Sequence, residues 1–209
     1  MIILLFLGSY LLGSIPFAVV VGKLFFGVDV RKEGSGNPGA TNTMRVLGKT
    51  AGFIVLFLDM GKGALAVLAA FLMYTHLATE LTGKDLAAIC GGLAILGHVF
   101  SPFLKFKGGK GVATSIGTVL ALQPLPGLCM VGIFILVVSI WGYVSLGSMV
   151  AAALYPFLSF ILERENFSNT ILVFSILLAL MIIIKHKDNI KRLLSGTENK
   201  FTLKSKKTV

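Results

Sequence analysis

Residues 28–50 read VDVRKEGSGNPGATNTMRVLGKT, and on both sides of them lie apolar runs long enough to cross a bilayer. That contrast decides the fold class. A soluble domain of 209 residues needs a polar surface, yet 56% of this chain is hydrophobic, 13% is charged and the mean hydropathy is +0.90. The composition reads as an all-α integral membrane protein, with the polar stretch lying at the membrane surface. A formal net charge of +10 would suggest nucleic acid in a soluble protein. Here the basic residues sit in short loops between apolar runs. That placement points to membrane orientation and anionic ligands, and to no nucleic-acid partner.

Seven apolar segments predict about seven spans, near 1–22, 51–75, 86–104, 112–123, 127–143, 146–162 and 169–184, with a tail over 185–209, all in one membrane-embedded domain. The first run lacks a basic leader and continues too far for a signal sequence, so it is expected to remain as a span. The fourth segment has about 12 residues, short of the ~17 that a full crossing needs. The stretch from Pro124 to Leu162 is too long for one crossing and is expected to break at WGYVS, around Gly142. Of the 19 Lys and Arg, sixteen fall in the loops after spans one, three and five and in the tail. Two, Lys84 and Arg164, fall in the alternate loops, and the last is Lys62 inside span two. This asymmetry predicts an odd number of spans, an outside N-terminus and a cytoplasmic tail. Both glycine-rich loops and the tail then share one side.

Three polar segments are candidates for that side. The first holds Gly34, Gly36 and Gly39, which permit close backbone approach to a ligand, together with Ser35, Asn37, Thr41 and Asn42. Successive N–H groups in such a loop form an anion-binding nest, and Arg45 offers a planar fork suited to phosphate. The second, HVFSPFLKFKGGKGVATS (98–115), sets Lys105, Lys107 and Lys110 around Gly108, Gly109 and Gly111 just before a helix. Glycine backbone and lysine at a helix start suit an anion. The segment is not a nucleotide-binding P-loop, because Gly111 and Val112 follow Lys110 where Ser or Thr is required. Lys105 reads as a membrane-interface anchor. The third, KHKDNIKRLLSGTENK (185–200), reads as a short interfacial helix, from which His186 and Asn189 stand out, one turn apart.

Inside span two, Asp59 and Lys62 lie at i and i+3, either a structural ion pair or the lining of a polar cavity. His98 reads equally as a capping residue or a ligand-facing donor, and His76 lies near the opposite end of span two. Cys90 and Cys129 lie in apolar segments without metal spacing and read as packing residues. The chain offers no defensible Ser-His-Asp set, no thiol in a basic setting and no metal-ligand cluster. A His followed five positions later by Asp is also missing. Phosphate-type loops without an evident base leave two readings open: a membrane carrier for an organic phosphate, or a transferase whose substrate is already activated.

LLGSIPFAVVVGK, GSGNPGATNTMRVLGK, LDMGKGA, GHVFSPFLKFKGGKGVAT and KHKDNIKRLLSGTENK, in this order, closely resemble the bacterial acyl-phosphate:glycerol-3-phosphate acyltransferase family of PlsY type. The resemblance covers almost the whole chain. It implies a seven-span inner-membrane enzyme, working as a monomer with its site facing the cytoplasm. Such an enzyme moves a fatty acyl group from acyl phosphate to the sn-1 hydroxyl of glycerol 3-phosphate, without cofactor or metal. The residues expected to do this chemistry are Ser35, Arg45, Lys110, His186 and Asn189. Phosphate and substrate binding is expected from Gly34, Gly36, Asn37, Thr41, Asn42, His98, Lys107, Gly108, Gly109 and Gly111.

Overall fold

The computed structural model describes residues 1–201, and the end of the expected tail, from 202 on, lies outside the described residues. The described residues form helices and turns with no strand. In chain order the helices are α1 (Ile2–Ser14), α2 (Phe17–Phe26), α3 (Ala40–Leu47), α4 (Lys49–Tyr74), α5 (Gly83–Val99), α6 (Val112–Leu122), α7 (Pro124–Trp141), α8 (Val144–Leu162), α9 (Asn169–Lys185) and α10 (Lys187–Leu194). Four of them are long and apolar enough to cross a membrane: α4, α5 with the turn that extends it to Leu104, α7 and α8. The bent pairs α1–α2 and α9–α10 bring the count to six if each is one span. The expected fourth span is α6, whose 11 residues reach only about 16 Å, half the hydrocarbon thickness.

The outside of the bundle is apolar, as lipid requires. Leu72, Phe157, Ile161 and Leu177 are each more than half exposed although they sit on long helices. Lipid supplies no hydrophobic drive between helices, so contact depends on close packing of small residues. On α6, a Cβ at Gly117 would lie 1.9 Å from the Met60 carbonyl oxygen of α4. On α1, a Cβ at Gly13 would lie 2.0 Å from the Ala94 carbonyl oxygen of α5. Gly117→Ala is therefore expected to push α4 and α6 apart and cost about 1–3 kcal/mol, read as a lower melting temperature in detergent. An unchanged melting temperature would mean that the two helices do not meet so closely.

The breaks in the helices follow from local chemistry. Pro16 has no N–H and disfavours helical backbone in the residue before it, so the expected single span 1–22 is broken into α1 and α2 with a 46° bend. That break takes two carbonyls inside the bundle, those of Ser14 and Ile15, out of the regular helical ladder. Ser101 Oγ donates to the Ser14 carbonyl at 2.6 Å and Lys62 Nζ donates to the Ile15 carbonyl at 2.9 Å. Gly142 ends α7 with φ +79°, a left-handed conformation that glycine adopts freely, so the break expected in WGYVS stands there.

Candidate active site

The site forms where the start of α6 meets α10. Lys107 and the two glycines after it fold back along the end of α5. The Gly108 N–H donates to the Val99 carbonyl at 3.1 Å and the Gly109 N–H to the His98 carbonyl at 3.2 Å. Gly111, with φ +84°, turns the chain into α6. Lys110 is thereby held at the mouth of α6 and donates to Asn189 Oδ1 of α10. Asn189 Nδ2 donates in turn to Glu198 Oε1 at 2.6 Å. The same carboxylate accepts from Ser145 Oγ at 2.7 Å and from Arg192 Nε at 2.7 Å. Burial works to raise the Glu198 pKa, but its hydrogen bonds from Ser145, Asn189 and Arg192 outweigh this and keep it low. Lys110 moves the other way. Burial penalises its ammonium and lowers its pKa to about 8, while the Glu198 charge opposes the fall and those of Arg192 and Arg45 add to it.

His186 sits at the 57° break between α9 and α10, with its ring buried. Its Nδ1 is 2.8 Å from the Ile182 carbonyl, which can only accept. Nδ1 therefore carries the hydrogen, and in the neutral ring Nε2 is left as an acceptor. The first glycine loop is built around Asn42, which is buried at the start of α3. Its Nδ2 donates to the carbonyls of Val30 at 2.8 Å and Glu33 at 3.1 Å, and its Oδ1 accepts from the Ser35 N–H at 2.8 Å. With both ends of its amide engaged, Asn42 holds the loop's shape. Gly34, Ser35 and Arg45 are exposed on that loop and helix, while Gly36, Asn37 and Thr41 are half-buried.

The structure brings Lys110 and Asn189 into contact, with Arg45 near enough to act on the Lys110 charge. Lys107 instead lines an open cleft between the two glycine loops, shared with Gly36. His98 is buried between Asp59 and the loop, its Nδ1 3.5 Å from Asp59 Oδ1. A Cβ at Gly109 would lie 2.2 Å from His98 Nε2, so the ring packs directly on the loop backbone. Glu198, Ser145 and Arg192 were not singled out in the sequence. One signal was present for Glu198, since it is one of only two acids within the basic segment 185–200. Among the described residues no three His, Cys, Asp or Glu cluster as a metal site.

The family model described as glycerol-3-phosphate acyltransferase matches residues 3–196. A glycerol-3-phosphate acyltransferase of Trichlorobacter lovleyi is 49% identical over 194 residues, covering 93% of this chain and 94% of the relative. One of Staphylococcus aureus is 45% identical over 204 residues, covering 96% and 98%. Two crystal structures of PlsY, an integral membrane glycerol 3-phosphate acyltransferase, superpose on this chain. The glycerol 3-phosphate form has a TM-score of 0.85 and 37% identity, covering 96% of each chain. The lysophosphatidic acid form has a TM-score of 0.83 and 37% identity, covering 97% of this chain and 96% of its own. A match across almost every element of the bundle and both glycine loops leaves one conclusion: this chain belongs to the glycerol-3-phosphate acyltransferase family.

Proposed function

We propose that this chain transfers a fatty acyl group from acyl phosphate to the sn-1 hydroxyl of glycerol 3-phosphate, giving 1-acylglycerol 3-phosphate (lysophosphatidic acid) and inorganic phosphate. This would be the first step of phospholipid synthesis. The observation that carries the reading is the Lys110–Asn189–Glu198 chain, which fixes a half-buried ammonium at the mouth of α6 beside a glycine loop. Family membership supports the acylation of glycerol 3-phosphate, and the chemistry of the site favours acyl phosphate as donor. A mixed anhydride carries its own leaving group, so the reaction needs no nucleophile from the protein.

In this mechanism the glycerol oxygen attacks the acyl carbonyl carbon and the bond from that carbon to the phosphate oxygen breaks. The phosphate leaves with the electron pair and takes the hydroxyl proton. Lys110, with the N–H of Gly111, holds the glycerol phosphate group, while Gly108 and Gly109, expected to bind phosphate, spend their N–H groups on the Val99 and His98 carbonyls and fix the loop that carries the lysine. Arg45 and the hydroxyls of Ser35 and Thr41 hold the phosphate of the donor, while the N–H groups of Ser35 and Gly36 are spent inside the loop on Asn42 Oδ1 and the Glu33 carbonyl. Asn42 and His98 shape the two loops. His186 Nε2 accepts from a substrate hydroxyl and Asn189 positions Lys110. Placing both reactants in one site is worth on the order of 7–11 kcal/mol of the barrier. The lysine also meets charge that grows on the departing groups.

The chain would work as a monomer in the inner membrane, as one domain with seven spans, α6 making the short fourth one. The N-terminus would face outward and the site the cytoplasm, in keeping with the placement of Lys and Arg. The test is phosphate release by the purified protein given palmitoyl phosphate, with and without glycerol 3-phosphate. Release that needs both, matched by lysophosphatidic acid, is expected. Uptake of glycerol 3-phosphate by sealed vesicles without product would instead identify a carrier. That reading is disfavoured because the polar segments gather at one end of the bundle and not at its midplane.

A further inference from the structure

We propose a second anion site, bordering the reaction centre at Gly36 of the first glycine loop but not using Lys110, that takes the phosphate headgroup of an anionic membrane phospholipid. It is a cleft of about 420 Å³ between the two glycine loops, lined by Asp29, Arg31, Lys32, Phe103, Lys105 and Lys107. The charge balance inside it is uneven. Arg31 Nη2 lies 2.5 Å from Asp29 Oδ2, and this bond holds the Asp29 carboxyl well below the usual carboxylate range, so those two charges cancel. Lys32, Lys105 and Lys107 have no ion-pair partner among the described residues. Three uncompensated cations around one cavity attract an anion.

The rim says what kind. Lys105 and Phe106 are consecutive non-glycine residues with φ of 52° and 61°, a left-handed pair that side chains rarely adopt. The turn is imposed by the Phe106 N–H donating to the Ser101 carbonyl at 2.8 Å and the Lys107 N–H donating to the Leu104 carbonyl at 3.0 Å. Its result is to leave Phe106 61% exposed and Phe103 60% exposed beside the lysines. Lys23 Nζ reaches Asp29 at 3.6 Å, which brings the end of α2 alongside, with Leu24 and Phe25 each 75% exposed. These exposed apolar groups lie where lipid covers the bundle, which sets the lysines of the cleft at the level of the headgroups. An amphiphile fits both halves, its headgroup among the lysines and its chains against the aromatic rim. Lys32 and Lys105 take no part in the Lys110–Asn189–Glu198 chain, so lipid here would border the reaction centre without occupying it.

The test is native mass spectrometry of the full chain in a neutral detergent, titrated with phosphatidylglycerol or phosphatidylcholine. One phosphatidylglycerol should be retained in preference to phosphatidylcholine. Lys32→Gln and Lys105→Gln should each weaken that retention about fivefold, while Lys32→Arg and Lys105→Arg keep it. Both glutamine variants should still form lysophosphatidic acid in phosphatidylcholine nanodiscs, which shows that they are folded. Equal retention of the two lipids, or retention unchanged in both glutamine variants, overturns the proposal. So does displacement of the lipid by inorganic phosphate, which would make this a free-anion site. Displacement by palmitoyl phosphate would make it part of the substrate site and overturn it equally. Failure of the acyltransferase assay with lipid retention intact would sink the proposed reaction and leave this site standing.

Discussion

Lys110→Ala is expected to lower turnover by about 10²–10³-fold while the protein still inserts and melts as a folded bundle, because one preorganised cation at the developing charge is worth that much. The cost falls on the reaction because this lysine is tied to the site and not to the bundle core. It sits at the mouth of α6, donates to Asn189 and is held half-buried. Burial also sets how the rate should respond to pH. With a pKa of about 8, lowered mainly by burial, Lys110 is cationic at neutral pH and loses its charge as pH rises through that value. A phosphate is held by the charged form, so kcat/KM for glycerol 3-phosphate should fall on the alkaline side of about pH 8. Lys110→Arg keeps a charge that does not titrate in this range, so whatever activity it retains should lose that alkaline limb. A wild-type profile that stays level well above pH 8, or a Lys110→Ala variant with near-normal turnover, would remove this lysine from the reaction.

What could be read in the sequence depended on how local the cause was. Gly142 was legible as the break in a run too long for one span, because a glycine after an apolar helix is a local signal for a left-handed cap. The meeting of the 98–115 segment with the tail followed from the placement of Lys and Arg, which summarises many loops at once, and Lys110 does touch Asn189. Pro16 was equally visible, yet the first span was expected to run through it. A membrane helix tolerates proline when neighbours satisfy the freed carbonyls, and here Ser101 and Lys62 do so from 87 and 47 residues away. Partners at such separations leave no local trace. Asn42 and Glu198 show the same limit inside the candidate site. Asn42 was expected to face phosphate because it lies in a glycine-rich loop, and only the folded loop shows its amide occupied by three backbone groups. Glu198 sat among lysines as an ordinary tail residue until Ser145 and Asn189 closed on it.

Lys62→Met is expected to be among the most destabilising single changes in the bundle, costing about 3–5 kcal/mol, because it leaves a buried carboxylate without its ammonium. Lys62 and Asp59 are almost wholly buried, their charged atoms 2.8 Å apart. The lysine does more than neutralise. Its Nζ also donates to the Ile15 carbonyl at the α1–α2 break and lies 5.6 Å from the centre of the Phe17 ring. Asp59→Leu should cost less, since Lys62 keeps the Ile15 carbonyl and the Phe17 ring. The double variant D59L/K62M should be more stable than K62M alone, as no charge is then buried unpaired, although the Ile15 carbonyl is left with only the Phe17 N–H as donor. Thermal and denaturant unfolding of the three variants in detergent would give this order through a double-mutant cycle. Strictly additive losses would show that the two side chains do not act as a pair. A K62M variant as stable as wild type would show that the broken helix needs no cation beneath it. Because His98 links Asp59 to the backbone of Gly109, any loss in the pair should also loosen the loop that carries Lys110. A stability defect and a rate defect would then appear together in K62M, and D59L/K62M should recover part of both.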